Sequence, residues 1–139
     1  NYSCKIIFPQ DVLVGKSMDG KAEVRELDNI KNNDLILDIG PRTLKNMKKI
    51  IETSNTVLWN GPAGYFENPH FANGSYEIAK TIIKRNQNEK IYSVVGGGDT
   101  IALLNEIDAL ANFNFASTAG GAFLEYLEGK DLPGIKALS

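Results

Sequence analysis

Cysteine and histidine are almost missing from this sequence, with one of each, Cys4 and His70, among 139 residues. A lone thiol cannot close an internal disulfide, which fits a reducing compartment. With a single imidazole beside it, a Cys/His nucleophile pair and a Cys/His zinc set are both excluded as credible readings. No apolar run reaches bilayer-spanning length, and the N-terminus lacks a basic stretch leading into an apolar core. Charge excess is also missing. Fifteen Lys and Arg against 17 Asp and Glu give a formal net charge of −2, so no strong field draws the chain to nucleic acid or to an anionic membrane. Internal repeats and low-complexity tracts are absent as well. The first residue is Asn1 rather than Met, and Ile6-Ile7-Phe8 follows almost at once, so the expectation is a cut through a larger protein.

What is present is ordinary globular material, 42% hydrophobic and 23% charged, enough for one domain with a real core. Cys4–Phe8 and Val12–Val14 read as short strands, and the polar stretch 15–34 ends in the strand-like Leu35-Ile36-Leu37. Pro41 stands where a helix can begin, and Leu44, Met47, Ile50 and Ile51 repeat at helical spacing. Thr56-Val57-Leu58-Trp59 is a compact buried strand cut off by Asn60-Gly61-Pro62. Ser75 is placed to cap a helix with Ile78, Ala79, Ile82 and Ile83 inward. Ile91–Val95 is a further strand stopped by three glycines, and Asp99 is placed to cap a helix carrying Ile101, Leu104 and Ala111. Phe113–Thr118 reads as a last strand before a short helix ending at Gly129. Strands alternating with helices predict an α/β fold with a partial, doubly wound, Rossmann-like parallel sheet. Trp59 is expected in the core, and Lys45, Lys48 and Lys49 on a solvated helix face.

Three turns carry chemistry. Gly96-Gly97-Gly98-Asp99-Thr100 lies between strand and helix, where glycines let backbone N–H groups approach a phosphate at the positive end of the helix dipole. Asp99 adds a hard carboxylate oxygen suited to Mg²⁺ carried on a nucleotide. The pattern is neither the P-loop nor Gly-x-Gly-x-x-Gly, and a tight turn with Asp99 as helix cap explains the same residues. In Asn60-Gly61-Pro62-Ala63-Gly64-Tyr65-Phe66-Glu67, Asn60 can donate to a phosphate oxygen and Glu67 can accept from ribose hydroxyls. The competing account is an Asn-Gly-Pro turn with an exposed Glu. Ser117-Thr118-Ala119-Gly120-Gly121 can make another backbone anion site or a plain capping turn. Open parallel sheets collect such turns at one edge, so three in a row weaken the plain-turn reading of each. His70, between Pro69 and Phe71, reads as a surface loop residue.

Taken in order, these segments resemble phosphoglycerate kinases. Leu37–Thr43, LDIGPRT, is similar to the family's Asp-Ile-Gly-Pro-x-Thr, and LWNGPAGYFE at Leu58–Glu67 to Val-Trp-Asn-Gly-Pro-x-Gly-x-Phe-Glu. Val95–Thr100 resembles Val-Gly-Gly-Gly-Asp-Thr/Ser, and Ser117–Leu138, STAGGAFLEYLEGKDLPGIKAL, resembles the family's closing segment. The resemblance runs from about Ile6 to the end and keeps the spacing. It implies residues 1–139 as the C-terminal portion of a nucleotide-binding α/β domain, without the 3-phosphoglycerate-binding domain. It further implies a cytoplasmic glycolytic enzyme, monomeric when intact, that uses ATP/ADP and Mg²⁺. That enzyme moves a phosphoryl group reversibly between 1,3-bisphosphoglycerate and ADP, giving 3-phosphoglycerate and ATP.

By the same resemblance Gly97, Gly98, Asp99 and Thr100 form the nucleotide-phosphate and metal loop, with Asp99 approaching Mg²⁺. Glu67 holds the ribose, Asn60 lies near the phosphates, and Pro62 lies beside the nucleotide. Gly120 and Gly121 face the transferring phosphoryl group. Two departures stand out: Ala119 replaces the first glycine of a Gly-Gly-Gly turn, and Phe115 stands where many relatives carry His. The family's Gly-Gly-Ala-Lys segment and its lysines are not in this sequence, so the chain alone is expected to be inactive and open to self-association. A non-catalytic nucleotide-binding module, or a remnant that binds nothing, remains the alternative.

Overall fold

A computed structural model describes residues 4–88 and 91–138, so Asn1 lies outside the described residues. The chain divides into two units, one from the described part of Asn1–Glu52 with Ala63–Lys80, the other from Thr53–Pro62 with the described part of Thr81–Ser139.

The first unit is built on an antiparallel sheet of order β2-β1-β3, with β1 at Asp11–Gly15, β2 at Glu23–Glu26 and β3 at Leu35–Ile39. This departs from the expectation that Val12–Val14 and Leu35–Leu37 join the parallel sheet. For β1 and β2 the reason is loop length, since parallel neighbours need a crossover of roughly a dozen residues or more and the 16–22 connection can only turn back. Cys4–Phe8 is not a strand. Both edges of β1 are taken by β2 and β3, Pro9 has no N–H for a ladder, and Ile6 and Phe8 stay more than 70% exposed.

Helix α1, Pro41–Thr53, begins at a proline whose fixed φ suits the first turn. Its open N-terminal amides are met from β1: the Asp11 carboxylate accepts Arg42 N at 3.0 Å and Thr43 N at 2.8 Å. Burial pushes the Asp11 carboxyl up, but those hydrogen bonds, the Thr43 hydroxyl and the Arg42 charge together hold it below its ordinary value. Helix α2 runs over Asn73–Asn86, with Ile78, Ala79 and Ile82 buried. It starts three residues earlier than a cap at Ser75 would place it. Ser75 is therefore inside the helix, fully buried, and its hydroxyl accepts the Ala63 N–H at 2.9 Å instead of capping. Lys48 is not simply solvated, since its ammonium meets Glu77 of α2 at 2.7 Å.

The second unit holds the parallel sheet, order β4-β5-β6, with β4 at Thr56–Asn60, β5 at Tyr92–Gly96 and β6 at Phe115–Ser117. Its helices are α3 (Gly98–Glu106), α4 (Gly121–Leu127) and α5 (Pro133–Lys136). The register Trp59↔Val95 puts these two side chains on the packed face, whereas Ala116, level with them in β6, is exposed. There Trp59 is 8% exposed and Val95 fully buried, while Leu103 and Leu104 of α3 are also fully buried. Burying each such aliphatic side chain contributes roughly 1.5–3 kcal/mol. The Trp59 ring packs 6.4 Å from Phe113 and satisfies its N–H on the Gly61 carbonyl at 2.8 Å. Among the described residues no helix is long and apolar enough to cross a membrane.

Candidate nucleotide-binding edge

Because β4, β5 and β6 run parallel, their C-terminal ends lie on one edge of the sheet. The registers Asn60↔Gly96 and Gly96↔Ser117 set three strand ends side by side there. The segments that follow are Gly61-Pro62, Gly97–Thr100 and Thr118–Gly121, so three turns that stand far apart in sequence share this edge.

Their geometry is tight. A Cβ on Gly96 would lie 2.9 Å from the Asn60 Oδ1 and 3.0 Å from the ring of Phe123 in α4. The absent side chain lets Asn60 and the start of α4 close over the end of β5. Gly97 caps α3 with φ at 86°, a backbone that L side chains rarely adopt. With Gly97 turned this way, Ile101 N bonds the Gly97 carbonyl at 3.1 Å. The N–H groups of Gly98, Asp99 and Thr100 are then the first-turn donors without an intrahelical acceptor. Asp99 does not cap the helix through its side chain. It sits exposed in the first turn, beside those donors. Thr100 is fully buried, and its hydroxyl accepts the Gly61 N–H at 2.7 Å.

The third turn resolves the Ala119 departure. The positive φ falls on Gly120, at 52°, and Asp108 is the only described non-glycine residue with a positive φ. Ala119 thus occupies ordinary backbone. Phe115 is half exposed.

Glu67 is carried by the first unit. Its loop is pinned at several points: Tyr65 N bonds the Leu37 carbonyl at 2.7 Å, and Ala63 N bonds Ser75. Asn68 Oδ1 accepts His70 N at 2.9 Å, while its Nδ2 donates to the Met18 carbonyl at 2.6 Å. Glu67 itself is exposed, as is His70. Beside residues 63–65 lies an open depression of about 300 Å³, lined by Leu37, Asp38, Ala63, Gly64 and Tyr65 among others.

Asp38 belongs to the LDIGPRT segment, and no local pattern assigns its side chain a task. It is 2% exposed, with one carboxylate oxygen accepting Ile39 N at 2.8 Å and the other Gly74 N at 2.8 Å. Burial pushes its carboxyl above the ordinary value against those two bonds. Glycines at 64 and 74 were the available signal, since a carboxylate can approach a backbone this closely only where no Cβ intervenes. Among the described residues no group of three or more His, Cys, Asp or Glu is set to hold a metal.

A family model described as phosphoglycerate kinase matches residues 1–130. The chain belongs to the phosphoglycerate kinase family. The phosphoglycerate kinase of Caulobacter vibrioides (strain NA1000 / CB15N) is 45% identical over 137 residues, 97% of this chain and 35% of that protein. That of Chelativorans sp. (strain BNC1) is 42% identical, covering 97% of this chain and 34% of its own. Among solved structures, phosphoglycerate kinase from Coxiella burnetii superposes with a TM-score of 0.83 at 42% identity over 96% of this chain and 34% of its own. The Pyrococcus horikoshii OT3 enzyme gives 0.75 at 32% identity over 94% of this chain and 31% of its own. The chain thus spans about a third of the length of the relatives it matches.

Proposed function

We propose that this chain is the C-terminal, nucleotide-holding portion of a cytoplasmic glycolytic phosphoglycerate kinase. The reaction is reversible phosphoryl transfer between 1,3-bisphosphoglycerate and ADP, and the 3-phosphoglycerate site is supplied by residues outside this chain. The observation that carries this reading is the row Asn60–Gly96–Ser117, which puts three anion-suited turns on one sheet edge.

In this reading the backbone donors of Gly97, Gly98, Asp99 and Thr100 meet nucleotide phosphates at the positive end of α3. Asn60 donates to a phosphate oxygen, Pro62 flanks the nucleotide, and Glu67 accepts from the ribose hydroxyls. Gly120 and Gly121 lend backbone N–H groups to the phosphoryl group in transit. The donor set fits Mg²⁺ in one way only: a single exposed carboxylate, Asp99, suits an ion bound chiefly by phosphates and water. When bound, that ion neutralises phosphate charge. The residues of this chain position the nucleotide and stabilise charge, with no protein nucleophile, as phosphoryl transfer requires.

The test is the full-length enzyme carrying Asp99→Ala or Glu67→Ala. Asp99→Ala is expected to cost about 3–4 kcal/mol of transition-state stabilisation, read as a fall in kcat. Glu67→Ala is expected to cost roughly 1.5–3 kcal/mol, read mostly as a rise in KM for ADP. Equal losses of kcat in both variants would contradict the assigned roles, and so would near-full turnover by this chain alone in a coupled assay.

A further inference from the structure

We infer that Asp38 is a positioning residue for Glu67, acting through the backbone of residues 63–68 and never touching nucleotide. This rests on the ribose role proposed above for Glu67.

The geometry starts at the end of β3. Asp38 turns its carboxylate inward, where it accepts Gly74 N from the first turn of α2 and Ile39 N from its own strand. A Cβ on Gly74 would stand 2.2 Å from Asp38 Oδ1, and one on Gly64 only 2.5 Å from it. The carboxylate is therefore wedged between the start of α2 and the loop that follows β4. Both sides of the wedge hold that loop. From α2, the Ser75 hydroxyl accepts Ala63 N at 2.9 Å, and from β3 the Leu37 carbonyl accepts Tyr65 N at 2.7 Å. Asp38 directly follows Leu37 and bonds Gly74 N, the residue before Ser75, so it ties β3 to the start of α2 beside both acceptors. That tie decides whether Ala63 and Tyr65 can both be bonded. Glu67 sits two residues past Tyr65 and directly before Asn68, which is itself anchored on the Met18 carbonyl. A side chain bracketed this way presents its carboxylate in one place, as ligand binding requires.

Asp38 also meets an open first-turn amide of α2, as Asp11 does for α1. It has no cationic partner among the hydrogen bonds described for it, and a buried carboxylate bound only by two backbone amides is expensive to keep.

The experiment measures MgADP and Mg-2′,3′-dideoxy-ADP binding to the full-length protein and to its Asp38→Ala, Asp38→Asn, Ser75→Ala and Glu67→Ala variants. Asp38→Ala should weaken ADP about tenfold and leave the dideoxy nucleotide within about twofold, the size of one hydrogen bond to a charged group. Asp38→Asn keeps an acceptor oxygen for Gly74 N and should stay within about threefold of the parent for both. Adding Asp38→Ala to Glu67→Ala should cost nothing further, since the residue being positioned is gone. Additive losses, or equal losses on both nucleotides, would overturn the inference while leaving the role of Glu67 intact. Should Asp38→Ala fail to fold, Ser75→Ala releases the same loop from the other side. It should lose ADP selectively, and an unselective result overturns the inference. If Glu67→Ala itself shows no dependence on the ribose hydroxyls, the reading of Glu67 falls and this inference falls with it.

Discussion

The Thr100 hydroxyl accepts the Gly61 N–H at 2.7 Å, joining the first turn of α3 to the turn that follows β4. Two of the three turns at the sheet edge are thus held to each other by one buried side chain. Thr100→Val keeps the shape but leaves the Gly61 donor without its partner. The expected cost is about 1–3 kcal/mol in urea unfolding, while Thr100→Ser, which keeps the hydroxyl, should lose less than about 1 kcal/mol. A neutral Thr100→Val would show that the bond does not hold the edge together.

Gly97 and Ala119 make a matched pair for backbone strain. At Gly97, with φ at 86°, alanine is forced into disfavoured backbone and its Cβ would sit 3.2 Å from Asn60 Oδ1. Gly97→Ala should destabilise by on the order of 1–3 kcal/mol, whereas Ala119→Gly should change stability by less than about 1 kcal/mol. Thermal unfolding of the two variants checks this, and a reversed ranking would contradict the turn geometry.

Much of this edge was legible beforehand. The strands β4 and β5 announce themselves as short apolar runs, each halted within a residue or two by glycine or an Asn-Gly-Pro turn, and β6 as a short run ahead of Gly120-Gly121. The parallel order follows from the helices between them. What stayed hidden had specific causes. In β2, Glu23-Val24-Arg25-Glu26 carries charges on a sheet edge that needs no apolar alternation. Cys4–Phe8 has a strand's composition but no described edge to pair with. Ser75 and Asp38 act on backbone groups more than ten residues away, and no local pattern encodes such partners.

The two buried aspartates should tilt stability in opposite directions with pH. Asp11 has a folded pKa below its unfolded value. Its contribution is therefore fully present above an unfolded pKa of about 3.9 and is lost as pH falls through the folded value. Asp38 has a folded pKa above its unfolded value. Its contribution is greatest below about pH 3.9 and fades as pH rises through the folded value, where burying the ionised form opposes folding. Urea unfolding from about pH 2 to pH 7 should show Asp11→Asn losing part of the acid sensitivity and Asp38→Asn losing the opposing slope. Identical pH profiles for both variants would contradict these environments.

The most direct measurement is an amide chemical-shift titration of this chain with MgADP. The largest shifts should fall on Asn60, Gly97, Gly98, Asp99, Thr100, Gly120 and Gly121, and on Glu67. Affinity is expected to be weak, because the lysine–phosphate contacts implied for the family lie outside this sequence, and Asp99→Ala should weaken it further. Shifts confined to other residues, or none at these up to about 10 mM nucleotide, would contradict the claim that this edge holds the nucleotide.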